Sequence, residues 1–207
     1  AWAAIAVTEL ATMENVRHIQ NATVWGYREH NLVMINERQP DRSDLIGRSW
    51  RVRAEKVIIA TGAIERTLVF ANNERPGVML ASAVQTYINR FAVSPGQRIV
   101  VFTNNNSAYE AAADMVTAGV DIIAIIDSRK TVDDAERAQV QGIEVLANAQ
   151  VEKAHGYKRV TGVSVVTSEG ETRQIKCDLL AMSGGWSPTT HLYSQSRGTL
   201  QFDKTQA

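Results

Sequence analysis

The residues best placed to do chemistry lie in the run Arg98-Ile-Val-Val-Phe-Thr-Asn-Asn-Asn-Ser-Ala108 and in Val120-Asp-Ile-Ile-Ala-Ile-Ile-Asp127. Read together they are strand, tight turn, helix and strand, with an acid where the second strand ends. In such a unit the turn and helix N-terminus meet a pyrophosphate, and the acid accepts a ribose hydroxyl. Thr103, Asn105 and Ala108 occupy the three key positions of Gly-x-Gly-x-x-Gly/Ala. Only Ala108 fits that pattern.

Two readings of the turn stand side by side. In the first, Asn104, Asn105 and Asn106 offer backbone N–H groups to an anion, since Asn tolerates the left-handed conformation that Gly usually supplies. In the second, Thr103 and Asn105 fill the surface a pyrophosphate must touch, and the unit is structural. Asp127 shares this duality. It is either a ribose acceptor that selects NAD or an exposed acid in a strand–helix turn. Ser128-Arg129 beside it hints at a phosphate, which the Asp127 charge would repel.

No other chemistry stands out. The four histidines are scattered and share no ligand spacing with Cys177, so no metal site is expected. Cys177 has no Cys-x-x-Cys partner for dithiol work. No Ser–His–Asp set and no acid/base pair of carboxylates can be identified, so no catalytic residue is assigned.

The elements that must position the turn follow from periodicity. Residues 2–13 read as an alanine-rich helix, and Val16–Ile19 as β-rich. Thr23–Arg28, Leu32–Asn36 and Ser49–Arg53 alternate as strands, with a hairpin turn at His30-Asn31 and a polar turn over Gln39–Asp44. Lys56-Val-Ile-Ile-Ala-Thr-Gly62 reads as an apolar strand, Leu80–Phe91 as a helix, and Ser94-Pro-Gly96 as a linker. Beyond the βαβ unit come a helix over Val132–Gln141 and a short strand at Ile143–Ala147. A second meander covers Val151–Ala154, Val160–Thr167 and Thr172–Lys176. A final apolar strand, Leu179–Gly184, precedes Pro188.

Bulk properties narrow the function classes. The 207 residues carry 22 Lys plus Arg and 22 Asp plus Glu. That balance gives no basic field for nucleic acid and no acidic tail. A lone cysteine fits a reducing cytoplasm, and no apolar run reaches membrane-spanning length. The sequence opens on Ala1 inside a helical pattern and closes at Gln206-Ala207, which reads as a piece of a longer polypeptide.

Taken together, Ala60-Thr61-Gly62, the βαβ unit over Ile99–Asp127, and Leu179–Gly184 with Pro188 resemble the two-dinucleotide-binding-domain flavoproteins, the family of glutathione and thioredoxin reductases. Ala60-Thr-Gly-Ala-Ile-Glu-Arg66, Val69-Phe70, Arg75-Pro-Gly-Val-Met79 and Val101-Phe-Thr-Asn-Asn-Asn106 are similar, more specifically, to α subunits of heterotetrameric sarcosine oxidases and to related amine and opine oxidase subunits.

The resemblance implies an α/β fold: a Rossmann-like three-layer domain with a β meander, over residues 95–177. It would be inserted in a partial FAD/NAD-type domain formed by residues 1–94, to which 178–207 return. It implies that Thr61, Gly62 and Ala63 lie near a nucleotide, the alternative being a boundary turn that needs positive φ. It also implies that Val24 touches an adenine, the alternative being an ordinary half-buried strand valine.

For the parent, the resemblance implies oxidative demethylation of sarcosine to glycine with oxygen as acceptor. The amine is handled elsewhere in a complex of several subunits, which also carries FAD or FMN that is not expected in this piece. An NAD that transfers no hydride is held by the subunit. The alternatives are an NADH-dependent flavoprotein reductase domain and a ligand-free structural domain. The chain alone is expected to be inactive and open to self-association.

Overall fold

The computed structural model describes residues 2–39 and 46–203. They form two compact units, one from Ala1–Gly62 with Thr189–Ala207, the other Ala63–Pro188.

In the first unit, the alanine run gives helix α1 (Trp2–Thr12), because alanine loses the least on entering a helix. It buries none of its residues. The strands β1 (Ala22–Arg28), β2 (Leu32–Arg38) and β3 (Gly47–Arg53) form an antiparallel meander in the order β1-β2-β3. His30 and Asn31 turn the first hairpin at φ 57° and 53°. Two successive positive φ values match the right-handed strand twist, and Tyr27 donates to Asn31 Oδ1 at 2.6 Å. The polar turn expected at 39–44 lies, from Pro40 onward, outside the described residues. Val16–Ile19 pairs with no strand among them.

Lys56–Gly62 departs from expectation. It joins no sheet among the described residues, and Ile58 is 92% exposed. A fully apolar strand is stable only when both faces are covered, and the described residues of this unit leave Ile58 in solvent.

The second unit holds the remaining strands. The chain enters through β4 (Ala63–Glu65), β5 (Val78–Leu80) and α2 (Ala81–Phe91). The βαβ unit follows as β6 (Arg98–Thr103), α3 (Ser107–Thr117) and β7 (Asp121–Asp127). Next come α4 (Asp134–Gln139) and β8 (Glu144–Ala147), then the meander β9 (Gln150–His155), β10 (Gly162–Val166) and β11 (Thr172–Ile175). It closes with β12 (Leu179–Ser183) and β13 (Trp186–Pro188). A short helix, α5 (His191–Gln195), then belongs to the first unit.

A parallel sheet, ordered β5-β12-β6-β7-β8, is the centre of this second unit. The continuous apolar run of β6 is what a strand covered on both faces requires. Ile99 and Val101 pack among Ala108, Ala112 and Met115 of α3, while Val100 and Phe102 pack among Val151, Val163 and Val165 of the meander. The result is three layers: helices, parallel sheet, antiparallel sheet.

The expected boundaries at 94/95 and 177/178 fall inside this unit. β12 pairs with β6 through Leu179↔Ile99 and with β5 through Leu180↔Val78. Helix α2 buries Val84 in the core it shares with α3. Residues 63–94 and 178–188, expected in the outer domain, therefore complete the inner one, which runs from Ala63 to Pro188.

Candidate functional site

In an open parallel sheet, ligands meet the carboxyl ends of strands where the winding direction reverses. Here β6 leads through α3 to β7 on one side, while β12 lies on the other. The crevice is therefore bounded by Thr103–Asn106 and by Ser183–Gly185.

Thr103 makes the turn without glycine. Its side chain is fully buried, and Oγ1 accepts from Asn105 N at 3.0 Å and donates to Asn105 O at 3.1 Å. A hydroxyl that closes a turn on the backbone two residues ahead replaces the conformational freedom of Gly. None of residues 103–106 takes a positive φ.

Asn105 bridges the two strand ends. Its Nδ2 donates to Ser183 O at 3.1 Å and to Ser183 Oγ at 3.0 Å. Its Oδ1 accepts from Ser107 Oγ at 2.6 Å, and the Trp186 indole donates to that same Ser107 oxygen at 2.8 Å. Protein side chains thus use polar groups at the start of α3. Asn106, the residue before α3, caps it with no side-chain bond. Its amide donates instead to Glu136 Oε1 at 2.5 Å, and its Oδ1 accepts from Arg129 Nη1.

Asp127 ends β7 with its side chain fully buried. Tyr109 donates to Oδ2 at 2.8 Å, and Arg129 Nη2 to the same oxygen at 2.7 Å. Oδ1 accepts from the Arg129 backbone N–H at 2.9 Å and from Nε at 3.1 Å. Burial, with the Asp127 hydrogen bond second, raises the Tyr109 phenol above its ordinary value, so it remains a proton donor at neutral pH. The Arg129 charge is stabilised chiefly by its hydrogen bond to Asp127.

These contacts bear directly on the sequence expectations. Thr103 and Asn105 close on each other and on Ser183, while Asn106 and Asp127 are joined through Arg129. The exposed acid considered for Asp127 is replaced by a buried one, because Tyr109 and Arg129 supply four donors to it. The carboxylate that would take a ribose hydroxyl already accepts from Tyr109 and Arg129, and Asn105 spans from the turn to Ser183.

In the first unit, Val24 is 40% exposed on β1. Thr61 Oγ1 donates to Thr189 O at 2.8 Å, and Thr189 N donates to Gly62 O at 2.9 Å. Gly62 takes φ +67°, and a Cβ there would meet nothing within 4 Å. Its bare backbone is open to a close neighbour, which is the property a ligand-facing glycine needs. Ala63 is exposed and opens β4, paired with Pro188.

The sequence assigns no role to Tyr109, Ser183 or Arg66, and offers Arg129 only as a hint of phosphate. A usable signal existed for two of them. Tyr109 shares the apolar stripe of α3 with Ala112 at helical spacing, and Arg129 follows Asp127 by two. Ser183 reaches the site only through β12–β6 pairing, which no local pattern reveals. Cys177 is buried, and its thiol is pushed up to about 12 by burial first and Asp178 second. Among the described residues no group of three His, Cys, Asp or Glu gathers as for a metal, and no helix is long and apolar enough to cross a membrane.

Residues 3–206 match the family model for pyridine nucleotide-disulphide oxidoreductases. The chain is 38% identical to sarcosine oxidase subunit alpha of Corynebacterium sp. (strain P-1), over 98% of this chain and 22% of that protein. It is 37% identical to the subunit alpha of Rhizobium meliloti (strain 1021), over 89% of this chain and 19% of that one. The chain thus spans about a fifth of the length of these relatives. Among solved structures, T. acidophilum thioredoxin reductase superposes with a TM-score of 0.70 at 20% identity, covering 98% of this chain and 64% of that one. That likeness carries the fold: a mixed α/β arrangement around a Rossmann-like parallel sheet. The chain belongs to the pyridine nucleotide-disulphide oxidoreductase family and is a homologue of the sarcosine oxidase α subunits.

Proposed function

We propose that the chain is the non-redox, dinucleotide-holding part of a sarcosine-oxidase-type α subunit. Within the whole complex, sarcosine is oxidatively demethylated to glycine with oxygen as acceptor, and the amine is handled by other parts of the assembly. A bound NAD would serve as a fixed ligand and would transfer no hydride. Val24, Thr61 and Gly62 would hold it, with Gly62 supplying the backbone of close approach. The Thr103–Asn106 turn and Asp127 form a structural joint in the second unit.

One observation supports this division above the others. The carboxylate that would take a ribose hydroxyl is buried and accepts from Tyr109 and Arg129. An NADH-dependent reductase would use that acceptor for the ribose, and the dithiol of the reductase relatives has no counterpart here, since Cys177 is the chain's single cysteine. The same observation favours a second reading, a ligand-free structural domain of an amine or opine oxidase complex.

The test uses the intact complex. NAD should be released on denaturation, and reduction of the flavin by sarcosine should produce no reduced nicotinamide. Turnover of added NADH would establish the reductase reading instead. Complete absence of nucleotide would establish the structural one.

A further inference from the structure

We propose that the guanidinium of Arg66 forms a site for a small oxyanion, phosphate or carboxylate, at the β12–β6 crevice. The inference does not depend on the nucleotide-holding residues proposed above.

Arg66 is fixed by its backbone. Its N–H donates to Gly185 O at 2.8 Å, and its carbonyl accepts from Gly184 N at 2.8 Å. This ties it to the turn that ends β12. The side chain then lies along that turn: a Cβ added at Gly185 would stand 3.1 Å from Arg66 Nη2 and 3.8 Å from Asn104 Oδ1. Gly185 takes φ +86°, a conformation that strains any residue with a side chain. The guanidinium, the glycine turn and the first residue after β6 therefore share one side of the crevice, at the carboxyl edge of the parallel sheet.

The charge there is unanswered. Arg66 Nε is buried and has no hydrogen-bond partner, and no side-chain hydrogen bond or ion pair of Arg66 occurs among the described residues. Its neighbour Glu65 is engaged elsewhere, accepting from Ser82 N at 3.0 Å and Ser82 Oγ at 2.5 Å at the start of α2. A guanidinium stays protonated at any physiological pH, and a buried donor without an acceptor is costly. Its planar fork matches an oxyanion better than any neutral group does. Asn105 spans the two strand ends through its bonds to Ser183, which favours a small ligand over an extended one. A single phosphate or carboxylate remains compatible.

The probes are sodium phosphate and, separately, sodium acetate, titrated into the intact protein with ionic strength held constant by chloride. Calorimetry reports affinity, and nitrogen-detected NMR of the Arg66 Nε–H reports the site without any substitution. Saturable binding with a shift of that resonance is expected, with at least a tenfold loss in Arg66→Gln and a smaller loss in Arg66→Lys. The ratio of the two affinities assigns the source as phosphoryl or carboxylate. Absence of saturation by both anions overturns the proposal, as does equal binding by wild type and Arg66→Gln. If Arg66→Gln fails to fold, an Nε–H resonance unmoved by either anion in the wild type overturns it alone.

Discussion

Asp127 shows how much a single side chain's surroundings decide. At the end of a parallel strand, an acid reads equally well as a ribose acceptor or as a bystander. Tyr109 and Arg129 turn it inward and make it part of the core. Hydrogen bonds to charged groups contribute about 1.5–3 kcal/mol. Tyr109→Phe should therefore destabilise the protein by roughly that amount, read by chemical denaturation. Arg129→Gln should cost at least as much, since it leaves a buried carboxylate short of donors. If both variants unfold at the wild-type midpoint, the network is dispensable.

Cys177 gives a second prediction at this scale. Its thiol titrates near 12 in the folded state and near 9 when unfolded, so folding favours the protonated form. Stability from this group is level below pH 9 and falls as pH climbs from 9 toward 12. Cys177→Ala should flatten that alkaline limb. Thiol reagents should label Cys177 at neutral pH only when the protein unfolds; rapid labelling of the native state would contradict the burial.

Elements whose pattern is local were legible in the sequence. The hairpin at His30-Asn31, the βαβ unit and the second meander follow from alternation, turn residues and helical spacing. What escaped was pairing between distant segments. Val78–Leu80 and Leu179–Ser183 carry the same apolar composition whichever sheet they join, so their membership of the inner unit shows only in the ladder. Lys56–Gly62 carries a strand composition and no ladder among the described residues. For the site, the residue types at the turn were readable, including the loss of two glycines. The contacts that give those residues work, Asn105 to Ser183 and Trp186 to Ser107, span 78 and 79 positions and left no trace in sequence.

The turn carries its own prediction. Thr103→Gly with Asn105→Gly removes the hydroxyl closure and the bridge between β6 and β12, at about 0.5–1.5 kcal/mol for each net hydrogen bond lost. The double variant should melt below the wild type. It should gain no NADH affinity, because Asp127 stays engaged by Tyr109 and Arg129. A gain would show that the turn side chains alone close the crevice.

At the scale of the whole chain, apolar residues stand in water. Trp2 is 80% and Ile5 66% exposed on α1, and Ile58 is 92% exposed. Exposed apolar surface is relieved by association. The 207-residue chain should show concentration-dependent association in light scattering, reduced by Ile5→Glu with Ile58→Glu; a monomer at every concentration would contradict this. On the proposed reading, the βαβ turn of the second unit is a structural joint and no redox nucleotide site. The measurement that tests it most directly is an NADH titration followed by amide NMR at Asn104–Ala108 and Asp127. The expected result is no saturable shift at these residues and no binding there tighter than about millimolar, which corresponds to about 4 kcal/mol. Micromolar binding that shifts those amides would contradict it.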